Sequence, residues 1–509
     1  MLLDLLKLYH DEVVTCSLVL FISYSIYSFF LYPLFFHPLS KIPGPSICAL
    51  TKYWILYQSW SENRNRYVDA LHLKYGPIVR IGPSEVDISD ADYLKDIYVN
   101  NFDKSSFYAQ FGNYGSLNTF STIDKLTHKN SRKVSAKFYS KSNVMSDPIQ
   151  SKIRTVMSSL LKVLDENQDK ELNVFYLWSM LAMDGVNSFS FGAKHYIPLL
   201  ADPFNLGKTI IDNFLHQSSS WFWTTQLPQF YKYVVPKTVG QSGKIVQDWI
   251  EEQFEESLNA PLDGVDTLVS TILKSSKPNM FDKLRAKSEA FDHIAAGHNT
   301  TATTLSYLYY ELAKDPSKQL KLINELKKFN SGELLSTKNF NSLDFSQIED
   351  LPYLSALANE TFRKYAAIPG QEPRIVPPSG LQWRGSKQTP SAYIPGGTTV
   401  TMQPWSLHRI PEVFPDPETF NPDRWLIDDE EHLKIMHKHM FQFGAGSRMC
   451  MGMHLAICEI KLSVANVFSR YEVSLSDTYD YNECSMKDIY TTIPGSRNVP
   501  IVFKSINLD

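Results

Sequence analysis

Between Val13 and Ser40 no Asp, Glu, Lys or Arg interrupts the chain, and the run VVTCSLVLFISYSIYSFFLYPLFF is long enough to cross about 30 Å of hydrocarbon as a helix. The pattern predicts a membrane span within residues 1–38, leading at Pro38, Pro43, Gly44 and Pro45 into a stiff connector. A cleaved leader would begin basic, whereas Asp4, Asp11 and Glu12 here outweigh Lys7. A buried core helix is the alternative; the terminal position and the proline-rich exit favour an anchor. Further along, apolar positions recur at helical spacing in Ile153 to Leu164, Ile245 to Leu258, Phe291 to Leu312, Leu351 to Tyr365 and Met451 to Ser469. Strand-like patches punctuated by Gly and Pro occur at Ile78 to Ile88 and Ile375 to Val400. No repeat or polar linker divides the chain, so residues 39–509 are expected to form one domain, mainly α with a small β-rich portion.

Composition narrows the function classes. Hydrophobic residues at 43% supply a large core and exclude a disordered chain. A net charge of −4 is too balanced for a protein that works by neutralising many phosphates, so nucleic acid is not an expected partner. Five cysteines without C-x-x-C spacing encode neither a disulfide framework nor a structural zinc site. Lys41, Lys52, Arg64 and Arg66 follow the span, and the tendency of such residues to stay cytosolic places the remainder of the chain in the cytosol. The sequons at Asn299 and Asn359 would then go unused.

The most informative segment is Phe443-Gly-Ala-Gly-Ser-Arg-Met-Cys-Met-Gly452, which runs into the apolar helix MHLAICEIKLSVANVF. A thiolate that binds a metal needs donors and positive potential, and a cysteine at a helix start receives both from free backbone N–H groups. Cys450 stands there. Gly446 permits a tight turn, Gly452 lets backbone approach a flat cofactor, Phe443 can shield the sulfur and Arg448 can pair with a carboxylate. A buried structural cysteine is the bland alternative, of which Cys458 is an example.

FGAGSRMCMG satisfies F-x-x-G-x-R-x-C-x-G, so the protein resembles the cytochrome P450 haem-thiolate monooxygenases, and most of all their membrane-anchored fungal members. The resemblance implies the cytochrome P450 fold, Cys450 as axial ligand of the iron of haem b, and Arg448 as partner of a haem propionate. It also implies that Glu360 and Arg363 of NETFRKY join Arg424 of FNPDRW in a buried structural triad; a solvated helix pair is the other reading. AAGHNTTATT is similar to the family's A/G-G-x-D/E-T-T motif on the oxygen-binding helix, with Thr300 and Asn299 as candidate catalytic residues. A hydroxyl bonding back to the carbonyl four residues earlier can open a groove there. Asn299 departs from the usual acid and cannot donate a carboxyl proton, so the proton route would run through Thr300 and water. His128 and Arg132 occupy the place of W-x-x-x-R and would bond a propionate, unless that helix is simply exposed and basic; Arg374 occupies the place of another propionate arginine. His293 and His298 are read as having no carboxylate nearby in a metal-binding arrangement, so no second metal is expected.

The implied reaction activates O2 and oxidises an apolar small molecule, with a secondary metabolite favoured because similar fungal members often act there. No flavin or nicotinamide fingerprint is present, so electrons are expected from a separate NADPH-dependent cytochrome P450 reductase docking on Lys125, Lys129, Arg132, Lys133, Lys137 and Lys141. The other expected partners are membrane lipid and substrate, and the expected location is the endoplasmic reticulum membrane, single-pass, facing the cytosol. Phe107 to Thr119, Phe214 to Gln229 and Ala366 to Pro373 are the candidate pocket linings. Two other readings stay open: a same-fold isomerase or dehydratase that needs no oxygen, and a non-catalytic haem-binding membrane protein.

Overall fold

The computed structural model describes residues 2–100, 102–259, 266–274 and 282–506. The apolar N-terminal run forms helix α1 (Leu2–Ile26), continued by wider turns through Tyr27–Phe36. Pro33 lies inside those turns and removes one ladder N–H. Glu12–Phe36 is long and apolar enough to cross a membrane, and none of its residues is fully buried. Its exit is tied to the body: Arg80 donates from Nη1 to the Pro33 carbonyl at 2.8 Å and from its backbone N–H to Pro43 at 2.8 Å. A Cβ on Gly44 would stand 2.4 Å from the Arg80 carbonyl oxygen, which explains a glycine between two prolines.

The helices of the body that bear on the site and its core are α2 (Lys125–Ala136), α3 (Asp147–Glu166), α4 (Val174–Phe191), α5 (Lys208–Ser218), α6 (Lys237–Asn259), α7 (Lys283–Lys314), α8 (Pro352–Lys364) and α9 (Met453–Phe468). Three of the five stretches of helical spacing fall within α3, α6 and α7; Leu351 to Tyr365 overruns α8 by one residue at each end, and Met451 to Ser469 overruns α9 by two residues at its start and one at its end. Asp282 caps α7, accepting the Arg285 N–H, and Pro316 lies just beyond its end. α4 is apolar almost all round and buried along nearly its whole length, so it lies at the centre, packed lengthwise on α7. α3 instead buries one stripe, Ile149, Ile153, Val156, Leu160 and Leu164, against the same core.

The strands are short: β1 (Ile78–Gly82), β2 (Glu85–Ile88), β3 (Asp103–Lys104), β4 (Glu171–Asn173), β5 (Arg374–Ile375), β6 (Leu381–Trp383), β7 (Ala392–Ile394), β8 (Thr399–Thr401), β9 (Tyr471–Leu475) and β10 (Pro500–Ser505). The larger sheet has the order β1-β2-β8-β5-β3, with β2 and β8 parallel and the other pairs antiparallel. Its last pairing sets Lys104 directly opposite Arg374. Like charges facing each other across buried strands are destabilising unless an anion joins them, and that juxtaposition leads to the site.

Candidate functional site

The loop before α9 is held by its own backbone. The Cys450 N–H donates to Phe443 O at 2.8 Å and the Met449 N–H to Gly446 O at 3.1 Å. Gly446 has φ +69°, and a Cβ there would stand 2.2 Å from the Tyr98 carbonyl oxygen, so conformation and space both demand glycine. Gly452 has an ordinary φ of −81°, and the nearest atom to a Cβ on it is Tyr139 Cε1 at 3.9 Å; it caps α9 beside open space. Phe443 packs edge-on against Phe362 at 5.2 Å. The Cys450 side chain is open to solvent-sized space, yet surrounding protein desolvates it and raises its thiol pKa, against the N–H groups of Gly452 and Met453 and the charge of Arg132. Those properties coexist in a side chain that faces an enclosed cavity. A metal ion there would deprotonate the sulfur outright.

Around this cavity gather Lys104 from β3, Arg132 from α2, Arg374 from β5 and Arg448 from the loop, with His128 among them. Burial, then the charges of Arg448, Lys104, Arg132 and Arg374, push His128 down to about 3, so the imidazole is neutral. Burial, then Arg374 and Arg448, hold Lys104 well below the usual lysine range; its ammonium donates to Phe120 O at 2.6 Å and lies over the rings of Tyr108 and Phe120. Arg374 pairs with Glu372 at 3.6 Å and donates to Tyr108 Oη at 2.9 Å. Arg448 donates to the carbonyls of Thr122 and, at 2.7 Å, Ile123, and burial lowers it to about 10. Three arginines and Lys104 thus crowd Glu372, which is paired to Arg374, with Asp292 within electrostatic reach of Lys104. Buried charge of one sign calls for anions, and the two propionates of a haem would supply them beside a sulfur ligand; the donor set fits that cofactor. Lys104 was not singled out in the sequence, where an isolated lysine in FDKSSFY carries no signal beyond its aromatic neighbours.

α7 forms the facing wall. Within Ser288–Ala313 the accessible residues are Asp292, Ala295, Ala296, Gly297, Asn299 and Thr300, a stripe along two turns of an otherwise buried helix. Thr300 Oγ1 donates to the Ala296 carbonyl at 2.8 Å, the back-bond expected from the motif. Asn299 is half-buried beside it, on the same stripe. Tyr139 bridges the two walls, its ring beside Gly452 and its hydroxyl 2.9 Å from His293 Nδ1. His293 has a carboxylate near it, Glu289 Oε1, 3.2 Å from Nε2, but the two groups bond each other, and no cluster of His, Cys, Asp and Glu among the described residues could hold a metal ion. One helical turn brings them together. Glu289 also accepts the Thr119 N–H at 2.7 Å, so the pair is occupied in joining α7 to the segment before α2.

The Glu360–Arg363–Arg424 triad is assembled and buried, which removes the solvated-pair alternative. Arg363 donates to both oxygens of Glu360, from Nε at 2.9 Å and Nη2 at 2.8 Å, and Arg424 Nε donates at 3.2 Å. Trp425 Nε1 at 3.0 Å and the Asn421 N–H at 2.9 Å complete the carboxylate's shell. His408, unremarkable in SLHRIP, connects the triad to the cysteine loop. Its Nδ1 donates to Arg363 O at 3.1 Å, and its Nε2 accepts the Phe441 N–H at 2.8 Å. Burial lowers His408 to about 3, consistent with the neutral tautomer this geometry requires.

Of the candidate pocket linings, Phe107 and Phe111 join Phe120 and Tyr490 in an aromatic cluster with ring centroids 5.0–5.6 Å apart. The short helix Trp221–Thr225 packs near the turn Ser106–Phe111, whereas Phe214 packs on Phe291 and His298 of α7. From the third stretch, Glu372 reaches the cation cluster.

Residues 42–496 match the family profile described as Cytochrome P450. The chain is 30% identical over 460 residues to a cytochrome P450 monooxygenase of Aspergillus niger, orf2, covering 86% of this chain and 88% of that protein. It is 28% identical to the cytochrome P450 monooxygenases tazI of Aspergillus terreus, covering 87% and 88%, and BOT1 of Botryotinia fuckeliana, covering 89% of each.

Proposed function

The chain belongs to the cytochrome P450 family, and from that premise we propose a membrane-anchored monooxygenase that oxidises an apolar small molecule of secondary metabolism with electrons from a separate NADPH-dependent reductase. The observation that carries this reading is Cys450, an accessible sulfur at a helix start, enclosed by protein and ringed by surplus cations. Cys450 would ligate the iron of haem b, and Lys104, His128, Arg132, Arg374 and Arg448 would hold its propionates. When bound, the haem supplies oxygen activation, which a thiolate ligand favours by donating electron density.

The remaining steps belong to the chain. The N–H groups of Gly452 and Met453 and the charge of Arg132 favour the anionic sulfur against the burial that raises its thiol pKa, and its deprotonation would be complete once it ligates iron. Thr300, with its own proton given to the Ala296 carbonyl, offers oxygen lone pairs to solvent, so a water held there is the proton donor on that side. Asn299 orients this water by hydrogen bonding and releases no proton of its own. The triad and His408 hold the cysteine loop in register. Phe107, Phe111, Phe120 and Tyr490 exclude water and receive the apolar substrate. In balance, substrate C–H, O2, NADPH and a proton give C–OH, water and NADP+. Exposed Lys125, Lys129, Lys133, Lys137 and Lys141 offer the reductase a basic surface. The helix through Phe36, followed by Lys41, Lys52, Arg64 and Arg66, supports a single-pass anchor in the endoplasmic reticulum membrane, with residues 39–509 as one catalytic unit on the cytosolic side.

The test is the ferrous carbon monoxide spectrum of the full chain. The parent is expected to show the red-shifted band of a thiolate-ligated centre and Cys450→Ser to lose it; retention of the band in the variant refutes the assignment. Turnover that requires oxygen, NADPH and reductase separates a monooxygenase from an isomerase, which requires none of them, and from a scaffold, which turns over nothing.

A further inference from the structure

Asp292 lies one turn before Ala296 and two turns before Asn299 and Thr300, on the accessible stripe of α7. No described residue donates a hydrogen bond to its carboxylate. Its neighbours are otherwise engaged: Glu289 holds His293 and the Thr119 N–H, Glu372 holds Arg374, and the Lys104 ammonium is bound to Phe120 O between two rings. Burial raises Asp292 to about 7 against the pull of His293 and Lys104, with Glu289 adding to the rise. Tyr139 and Tyr490 are close enough for its charge to reach them, and Tyr490 belongs to the aromatic cluster with Phe107 and Phe111. Asp292 thus stands between the aromatic cluster and the cation-lined part of the cavity, at the end away from Thr300, within electrostatic reach of His293 and Lys104 but without a hydrogen-bond donor among the described residues.

We propose that Asp292 is the polar anchor of the substrate and that the substrate is an aromatic or otherwise apolar molecule carrying a basic nitrogen. This deepens the monooxygenase reading and rests on it. Burial brings the carboxyl close to neutrality when it stands alone; a protonated amine would hold it ionised and direct an N–H at it, whereas a neutral hydroxyl donates without supplying the charge. The aromatic rings beside it add cation–π attraction for the same ligand. Eight residues of helix separate Asp292 from Thr300, about 12 Å, so the nitrogen sits at the far end of the substrate from the carbon oxidised.

The experiment compares two probes on the full-length haem-loaded protein by calorimetry: N,N-dimethylphenylpropylamine, and the hydrocarbon in which CH replaces its nitrogen. The parent is expected to bind the amine about tenfold or more tightly than the hydrocarbon. Asp292→Asn is expected to abolish that preference without changing hydrocarbon affinity, and Asp292→Glu to restore part of it. Equal affinity of the parent for both probes overturns the proposal and needs no variant; so does a preference that survives in Asp292→Asn. The carbon monoxide spectrum of the same samples reports the thiolate separately, so failure of the family reading is distinguishable from failure of this one.

Discussion

Replacing His408 by leucine keeps the volume roughly similar and removes both hydrogen bonds. It leaves the Phe441 N–H and the Arg363 carbonyl buried without partners. Each orphaned group costs about 1–3 kcal/mol, so the variant is expected to be roughly 2–6 kcal/mol less stable near pH ~7.5. The deficit should then shrink on acidification. In the folded parent His408 is fully buried and titrates at about 3, whereas an unfolded histidine takes up its proton near pH ~6.5. Because the folded value is the lower one, falling pH favours unfolding through the window between the two values, by up to about 1.4 kcal/mol per pH unit. At pH ~5 that amounts to about 2 kcal/mol of parent stability. Leucine binds no proton and suffers no such loss, so the gap between variant and parent should narrow by about 2 kcal/mol between pH ~7.5 and ~5. Arg363, Arg409 and His439, which also act on the imidazole, are present in both proteins. The assay is urea unfolding of the full chain in detergent at both pH values, followed by far-ultraviolet circular dichroism. A deficit that stays constant, or that widens on acidification, would refute the buried neutral histidine as the connection between triad and cysteine loop.

Gly446→Ala must meet the Tyr98 carbonyl, 2.2 Å from the new Cβ, and adopt a left-handed φ. It is expected to cost about 1–3 kcal/mol in strain alone and to weaken haem retention during gel filtration; an alanine variant as stable as the parent would disprove the close approach. Lys129→Glu combined with Lys133→Glu reverses two exposed charges on α2, and flavoprotein-driven reduction followed by stopped flow should slow about tenfold at low salt, with the difference fading as salt rises. Unchanged kinetics would move the docking surface elsewhere.

Much of this molecule is written locally. The α7 stretch Phe291 to Leu312 and the α9 stretch Met451 to Ser469 show their period directly, because a helix face repeats within a few residues and needs no distant partner to be recognised. The Cys450 loop is equally legible, since left-handed turns, close backbone approach and a helix-start sulfur each demand a residue type at a fixed spacing. Lys104, His408 and Trp425 were not legible. Their importance lies in pairings with residues far along the chain, Lys104 opposite Arg374, His408 between Arg363 and Phe441, and Trp425 on Glu360.

Sequence alone determined the apolar N-terminal helix, the helical body and the turn that carries Cys450, since hydrophobic period and backbone conformation are properties of neighbouring residues. Tertiary structure alone decided which charges share the cavity, that His408 joins triad to loop, and that no described residue donates a hydrogen bond to Asp292. Burial and electrostatic pairing depend on separation in space, and the chain must close upon itself before those distances exist.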